Sequence, residues 1–155
     1  MREIRGSWWA AGATQPAISN SQWTPVDAIG LRRGSENWWG IIARGNGRSY
    51  GNAAVGVEGL MDMCLPNRIP SFDSNAGELT VDAGVLLGNI IRVSLPRGWL
   101  LHVTPGMQWV TVGGAIASDV HGKNHHRVGP FSCYVQCFVL VIPGGEEVFC
   151  SPDVN

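Results

Sequence analysis

The sequence is poor in charge, and the charges it has are balanced. Only 15% of its residues are charged, against about 25% in a typical globular domain. Lys and Arg together number 11 and Asp and Glu number 12, which gives a net charge of -1. Such a chain has no basic field to attract a nucleic-acid backbone. Nucleic acid is therefore excluded as an expected partner.

Signals for membrane insertion or export are also missing. No apolar run reaches the roughly 18 residues that a membrane-spanning helix needs. The N-terminus, Met-Arg-Glu-Ile-Arg-Gly-Ser-Trp-Trp, has no apolar signal-peptide core. We therefore expect a protein that is cytoplasmic or associated with the cell envelope.

Cysteine is scarce and is not arranged in pairs. The four cysteines, Cys64, Cys133, Cys137 and Cys150, contain no C-x-x-C spacing. In a chain without a secretion signal, free buried thiols are the usual state. We expect no disulfide.

Glycine, in contrast, is abundant at 21 of 155 residues and is concentrated in two segments, 43–51 and 105–126. Gly45, Gly47 and Gly51 permit positive φ and a close approach of the backbone to a ligand, so that N–H groups can converge on oxyanions. The first segment lacks the third glycine of a Rossmann fingerprint and the Lys-Ser/Thr of a P-loop. Taken alone, it is more typical of a structural turn than of a ligand-binding loop.

Hydrophobic periodicity and turn residues predict one folding unit of the α+β class. We expect an irregular segment over 1–24, a helix over 26–33 and a strand over 38–43. Three short strands follow at 59–63, 68–72 and 78–82. A helix is predicted over 86–95, a second helix begins after Thr111 as N-cap, and 134–142 forms a hairpin with 147–150.

The two glycine segments together resemble a known family, the flavoproteins of the vanillyl-alcohol oxidase and p-cresol methylhydroxylase type. The likeness runs from about 38 to 152. Its motifs are Ala-Arg-Gly-x-Gly-Arg-Ser-Tyr-Gly and Val-Thr-Val-Gly-Gly-Ala-Ile-Ala-x-Asp-Val-His-Gly-Lys-Asn-His-His, and within the family it is greatest to polyprenylphosphoryl-ribose oxidases. The resemblance implies an FAD-binding type 2 (PCMH-like) domain over 1–155. It would have two small α+β subdomains, at about 1–55 and 56–155, would be incomplete at its C-terminus and would lack the substrate domain.

The resemblance also implies which residues hold FAD. The first segment would wrap the diphosphate, and the second would follow the ribityl chain and the isoalloxazine ring. Arg48 stands where many relatives carry the histidine that links FAD covalently, so non-covalent FAD is expected. The implied cofactor-binding residues are Ala43, Arg44, Gly45, Asn46, Gly47, Arg48, Ser49, Tyr50, Gly51, Asn52, Gly106, Thr111, Val112, Gly113, Gly114, Ser118, Asp119, Val120 and His121.

Three of the implied site residues are candidates for the chemistry: His121, Lys123 and Tyr50. His121 either borders the sugar pocket beside the flavin or is a hydrogen-bonded structural histidine. Lys123 either contacts substrate phosphate or the flavin, or is an ordinary solvated lysine. The histidines near Cys133 and Cys137 also suggest zinc, but their spacings match no standard zinc pattern, so we expect no metal.

The reaction that the resemblance implies is oxidation of a secondary alcohol of a sugar. The expected substrate is a polyprenyl-phosphate sugar, oxidised at the 2-hydroxyl of its ribose by hydride transfer to flavin N5, in the synthesis of arabinan precursors for the cell wall. Expected partners are a C-terminal substrate-domain chain and a reductase that completes an epimerisation. The alternatives are a non-catalytic FAD-binding or interaction fragment, or another sugar or alditol oxidase.

Overall fold

The structure, a computed structural model, describes residues 2–8, 17–24, 41–56, 58–65, 67–143 and 145–154. The predicted helix over 26–33 and the first half of the predicted strand over 38–43 lie outside these residues. Two compact units are present: Met1–Leu65 with Val135–Asn155, and Pro66–Tyr134. Helices and strands are mixed, which confirms the predicted α+β class. The predicted subdomains have other bounds than these units and stay a prediction.

The first unit contains a four-stranded sheet in the order β1-β2-β4-β3. Its strands are β1 (Arg2–Trp8), β2 (Ala17–Thr24), β3 (Ile41–Arg44) and β4 (Gly59–Asp62). Strand β4 runs parallel to both β2 and β3. Its Leu60 and Met61 are 1% and 3% exposed, as expected for a parallel strand that is covered on both faces. The predicted strand over 59–63 is confirmed to within one residue.

The prediction of an irregular segment over 1–24 is wrong, because β1 and β2 form there. These strands pair antiparallel, with a register shift between Ile4 and Gly6. The second of them then pairs with β4, placing Gln22 opposite Leu60. Ser, Asn and Gln give this stretch little strand propensity of its own. Of the two, only β2 has a described partner strand far along the chain, β4, which local composition does not reveal.

The first unit also holds a separate hairpin of β7 (Phe138–Val141) and β8 (Glu147–Cys150), paired antiparallel with Phe138 opposite Cys150. The turn is closed by hydrogen bonds from the Ile142 N–H to Glu146 and from the Gly145 N–H to Ile142. This confirms the predicted hairpin. Its first strand begins four residues later than predicted, because Phe131–Tyr134 forms a 3-10 helix.

The second unit begins with a hairpin of β5 (Ser71–Asp73) and β6 (Glu78–Thr80). The strand predicted over 68–72 starts only after Pro70, since proline cannot donate to a sheet ladder. Asp82 returns to Arg68 beside the hairpin: its backbone N–H donates to the Arg68 carbonyl, and its carboxylate accepts from the guanidinium at 2.9 Å. This hydrogen bond from Arg68 lowers the pKa of the Asp82 carboxyl.

Two backbone segments of the second unit, 83–88 and 108–113, are joined by four hydrogen bonds. The N–H groups of Leu87 and Gly88, in the first turn of α1 (Leu87–Ser94), donate to Val110 and Gln108. In the opposite direction, the N–H groups of Val112 and Gly113 donate to the carbonyls of Val85 and Ala83. Because the first N–H groups of a helix have no partner inside it, this pairing supplies the acceptors for α1. It also fixes where the second helix begins.

The remaining elements of the second unit are short. Helix α2 (Val112–Ala117) is followed by α3 (His125–Val128) and the 3-10 helix Phe131–Tyr134, and another 3-10 helix, Leu95–Arg97, extends α1. The helix predicted over 86–95 and the helix after Thr111 are both confirmed. The core of this unit is apolar and contains Val85, Leu87, Ile90, Val103, Val112, Ala115 and Phe131.

All four cysteines are free, as predicted. Cys150 is buried, but Cys133 and Cys137 are exposed, so the prediction of buried thiols is wrong for these two. Cys133 lies in the 3-10 helix Phe131–Tyr134, and Cys137 lies in the short connection between that helix and β7. Among the described residues, no helix has the length and apolar composition needed to span a bilayer.

The turn between β5 and β6 gives a test of packing on glycine. The Trp99 indole donates to the Ser74 carbonyl at 2.8 Å, and its ring fills the space that a Cβ on Gly77 would occupy. Gly77 has a φ of +74°. We expect Gly77→Ala to lower the free energy of unfolding by about 2–4 kcal/mol, through left-handed strain and displacement of the ring.

Gly98→Ala is the matched control. Gly98 has a φ of +83°, and a Cβ added there would meet nothing within 4 Å, so this variant isolates the strain at about 1–2 kcal/mol. Urea unfolding measures both variants. Equal losses in the two would show that Trp99 does not hold the turn.

Candidate functional site

The first glycine segment is a loop that leaves the carboxyl end of β3. Gly47 and Gly51 have φ of +64° and +55°, a conformation that favours glycine. The loop continues into turns in which the Ala53 N–H donates to Tyr50 and the Val55 N–H donates to Asn52. The chain then enters β4, parallel to β3.

The backbone N–H groups at the tip of this loop are open to a ligand. Those of Gly45, Gly47, Arg48 and Ser49 donate no hydrogen bond to any residue that the structure describes. Successive N–H groups in such a turn form a concave site for anions. A diphosphate carries the oxygen acceptors that this set of donors requires, so the loop fits the diphosphate of FAD.

A cleft of about 210 Å³ lies beside this loop. It combines backbone from the loop with side chains from β3, β4 and the residues just beyond β4. The lining residues are Arg44, Gly45, Asn46, Gly47, Leu60, Asp62 and Cys64. Three of them, Leu60, Asp62 and Cys64, were not among the predicted site residues. These residues can be located from the parallel register of β3 and β4, which sets Arg44 opposite Asp62.

The polar residues of the cleft influence one another. Burial lowers the pKa of the Arg44 guanidinium, and the charge of Asp62 opposes that shift. The Asp62 carboxylate accepts the backbone N–H of Cys64 at 2.9 Å. Burial, followed by the negative charge of Asp62, raises the pKa of the Cys64 thiol to about 11. The thiol in the cleft therefore stays protonated at neutral pH.

The second glycine segment lies in the other compact unit and uses its donors differently. Thr111 is the N-cap of α2, its hydroxyl accepting the Gly114 N–H at 3.2 Å. The N–H groups of Val112 and Gly113 already donate to Val85 and Ala83. A Cβ on Gly113 would lie 3.1 Å from the Ala83 Cβ. These glycines thus let α2 pack closely on the preceding segment.

The end of α2 holds its chain in an unusual conformation. Ser118 is the C-cap, and Asp119 has a φ of +39°, the only positive value among the described non-glycine residues. The Asp119 carboxylate accepts the backbone N–H of Ser132 at 3.0 Å. Val120 is tied by its N–H to Ala115 and by its carbonyl to the Phe131 N–H. These contacts fix the path of the chain into His121.

The three catalytic candidates are all exposed in the structure. His121 stands edge-on to His125, with 5.1 Å between ring centroids. Lys123 is exposed between these histidines. Tyr50 is 88% exposed in the first loop. No group of three or more metal-ligating side chains occurs in the described part of the chain.

The remaining predicted residues divide by unit. Ala43 is an exposed residue of β3, and Asn52 is exposed in the turn after the first loop. Gly106, in the second unit, is also exposed and has open space around it. Nothing in the geometry of either unit assigns these residues a partner in binding, so their roles stay predictions.

Comparison with known proteins identifies related sequences. A family model described as "FAD binding domain" matches residues 31–151. The chain is 46% identical over 147 residues to decaprenylphosphoryl-beta-D-ribose oxidase of Mycolicibacterium smegmatis, covering 91% of this chain and 32% of that protein. It is 28% identical over 98 residues to D-lactate dehydrogenase of Anaerostipes hadrus, which covers 63% of this chain and 21% of the relative.

A crystal structure of 6-hydroxy-D-nicotine oxidase from Arthrobacter nicotinovorans has a similar fold, with a TM-score of 0.77 and 20% identity. The match covers 87% of this chain and 30% of that one. The chain thus spans about a third of the length of the mycobacterial relative and of this structure.

The raised pKa of Cys64 can be tested by alkylation. Because the thiolate is the reactive form, a thiol-specific reagent at neutral pH should modify exposed Cys133 and Cys137 much faster than Cys64. The Cys64 rate should rise about tenfold per pH unit, with no plateau before the pKa of about 11. Mass spectrometry of the modified peptides measures both rates, with Cys133 as internal reference. Equal rates for Cys64 and Cys133 at neutral pH would contradict the assignment.

The close packing of α2 gives a second prediction. Alanine is favoured over glycine inside a helix by up to about 1 kcal/mol, but a side chain at Gly113 must push Ala83 away. We expect Gly113→Ala to lower the unfolding free energy of FAD-free protein by about 1–2 kcal/mol. Gly106→Ala, which meets open space, should stay within about 0.5 kcal/mol of wild type. Urea unfolding that finds Gly113→Ala as stable as wild type would refute the packing role.

Proposed function

Because the chain belongs to the FAD binding domain family, whose model matches residues 31–151, we propose that it forms the FAD-binding part of an enzyme that oxidises a secondary alcohol of a sugar. The predicted resemblance to flavoproteins of the vanillyl-alcohol oxidase type is confirmed, and FAD is the cofactor of this family. The observation that carries the proposal is the row of open N–H groups at Gly45, Gly47, Arg48 and Ser49. They match a diphosphate in number and kind.

The proposed substrate is a polyprenyl-phosphate sugar, oxidised at the 2-hydroxyl of its ribose. It is supported by the 46% identity to decaprenylphosphoryl-beta-D-ribose oxidase over most of this chain. We propose that this oxidation is a step in the synthesis of arabinan precursors for the cell wall. A substrate-domain segment and a reductase that completes an epimerisation are the proposed partners.

Oxidation of the alcohol removes a hydride from carbon and a proton from oxygen. Bound FAD supplies the hydride acceptor, the N5 atom of its ring. We assign His121 to the border of the sugar pocket, where a ring nitrogen can accept the hydroxyl proton. The hydrogen bonds of Asp119 and Val120 orient the backbone that carries the His121 ring. Lys123 is proposed to hold the substrate phosphate, and Tyr50 to approach the flavin.

The proposed mode of FAD binding is non-covalent. Arg48 is exposed in the loop, at the position where the resemblance to the vanillyl-alcohol oxidase type implies a linking histidine in many members. A guanidinium does not form such a bond to the flavin ring. The loop then holds FAD through backbone donors, which release it when the protein unfolds.

Two other functions fit parts of the same observations. A non-catalytic FAD-binding module would need only the loop, and the chain spans 32% of the mycobacterial relative. Another sugar or alditol oxidase would use the same loop with different substrate contacts. These two functions and the proposed one differ in which alcohol, if any, reduces the bound flavin.

The first test of the proposal asks whether FAD binds and can be released. Purified protein, supplied with FAD, should show the visible flavin bands, and acid precipitation should leave the yellow colour in the supernatant. Colour in the pellet would contradict non-covalent binding. Protein that neither contains nor takes up FAD would contradict the proposed function.

When the proposed substrate-domain segment is joined to the protein of these samples, a short-chain polyprenylphosphoryl ribose should bleach the visible flavin band under anaerobic conditions. The 2-deoxyribose analogue is the matched control and should leave the band unchanged, because it lacks the hydroxyl that is oxidised. Bleaching by an alditol, and not by the ribose compound, would favour the other oxidase. An unchanged band with every alcohol, in protein joined to its substrate-domain segment, would favour the non-catalytic module.

A further inference from the structure

The side chain of Arg44 closes the first loop from inside. Arg44 is the last residue of β3, and its Nη1 donates to the carbonyl oxygen of Ala54 at 3.1 Å. Ala54 lies ten residues later and is 7% exposed. Residues 44–54 therefore form a ring, made of the loop backbone and closed by one long side chain.

The same guanidinium also contacts the tip of the loop. A Cβ built on Gly47 would lie 2.6 Å from Arg44 Nη2 and 3.3 Å from its Cζ. Arg44 thus occupies the space where a side chain at this position would stand. Because Gly47 has a φ of +64°, the guanidinium packs against a residue whose left-handed conformation shapes the loop.

Arg44 has a negative charge beside it on the neighbouring strand. It pairs with Asp62 in the parallel register of β3 and β4, and paired residues project to the same face of a sheet. The charge of Asp62 stabilises the guanidinium against its burial. This compensation weakens the attraction that Arg44 would exert on an anion above the loop.

We infer that Arg44 is a positioning residue, which holds the loop in the conformation that presents the N–H groups of Gly45, Gly47, Arg48 and Ser49 to a diphosphate. Arg44 contributes to binding through the loop and is not itself the phosphate ligand. The identity of the ligand rests on the proposed function. The bracing of the loop does not, since Arg44 makes its contacts with Ala54 and Gly47 within the chain itself.

Hydrogen exchange of FAD-free protein tests directly whether Arg44 braces the loop, that is, whether it holds residues 44–54 in place. The amides of Ala53, within the ring, and of Val55, the residue just after it, donate to Tyr50 and Asn52, so Arg44→Met should speed their exchange about tenfold or more. The amide of Ile142, in the hairpin of the same unit, is the internal reference and should keep its rate. Unchanged exchange of Ala53 and Val55 would overturn the inference.

Binding of FAD provides the second readout. Arg44→Met should weaken FAD binding about tenfold, the usual effect of losing one charged hydrogen bond, and should leave the salt dependence of the affinity as in wild type. Arg44→Lys keeps the charge but cannot span Ala54 and Gly47 together, so it should bind within about threefold of Arg44→Met. Full rescue by lysine, or a loss of salt dependence, would identify Arg44 as a phosphate ligand and overturn the inference.

A pair of glycine variants covers the case in which Arg44→Met disturbs the whole unit. Gly47 and Gly51 both have positive φ, but only a side chain at Gly47 meets Arg44, whereas Gly51 has nothing within 4 Å. Gly47→Ala should therefore speed the exchange of Ala53 and Val55 and weaken FAD binding several-fold more than Gly51→Ala. Equal effects of the two substitutions would refute the brace. Failure of wild-type protein to bind FAD would instead refute the proposed function, while the exchange rates would still decide on the brace.

Discussion

The parallel pairing of β3 with β4 is the constraint on which the candidate site depends. It brings the start of the first loop, at Arg44, opposite Asp62 and near Cys64. Both strands end at the same edge, so the loop and the residues after β4 share one cleft. A shift of the register by one residue would turn Arg44 and Asp62 to opposite faces. The charge compensation in the cleft would then be lost.

Glycine has a different physical role in each of the two glycine segments. In the first, positive φ at Gly47 and Gly51 shapes a loop whose tip keeps its N–H groups free of described partners. In the second, the N–H groups of Val112 and Gly113 donate to carbonyls of the segment 83–88. Glycine here permits close packing of a helix on backbone. The first segment thus keeps N–H donors that a ligand could use, and the second uses its donors within the fold.

Much of the fold could be predicted from local signals. The helix over 86–95, the Thr111 cap and the hairpin of β7 with β8 all follow from periodicity, capping and turn residues within short windows. The strands β1 and β2 could not be predicted in this way, since many of their residues have low strand propensity and β2 also pairs with β4, far along the chain. Pro70 is a local signal for the late start of β5, because proline cannot donate to a sheet ladder.

The candidate site was predicted less completely than the fold. Motifs located the loop and its donors, because glycine conformations are a property of the local chain. They missed Asp62 and Cys64, whose place in the cleft follows only from strand pairing. Burial of the cleft sets their chemistry, and burial is not encoded in a motif.

The ring closed by Arg44 and Ala54 also limits how this protein can vary. A side chain of fixed reach spans the two ends of the loop, so the number of residues between them is as constrained as their identity. Exposed positions such as Arg48 and Tyr50 can change without opening the ring. An insertion or deletion would separate the guanidinium from its carbonyl. The loop is thus a segment of fixed length in which exposed positions can vary, whereas Gly47 and Gly51, with their positive φ, cannot.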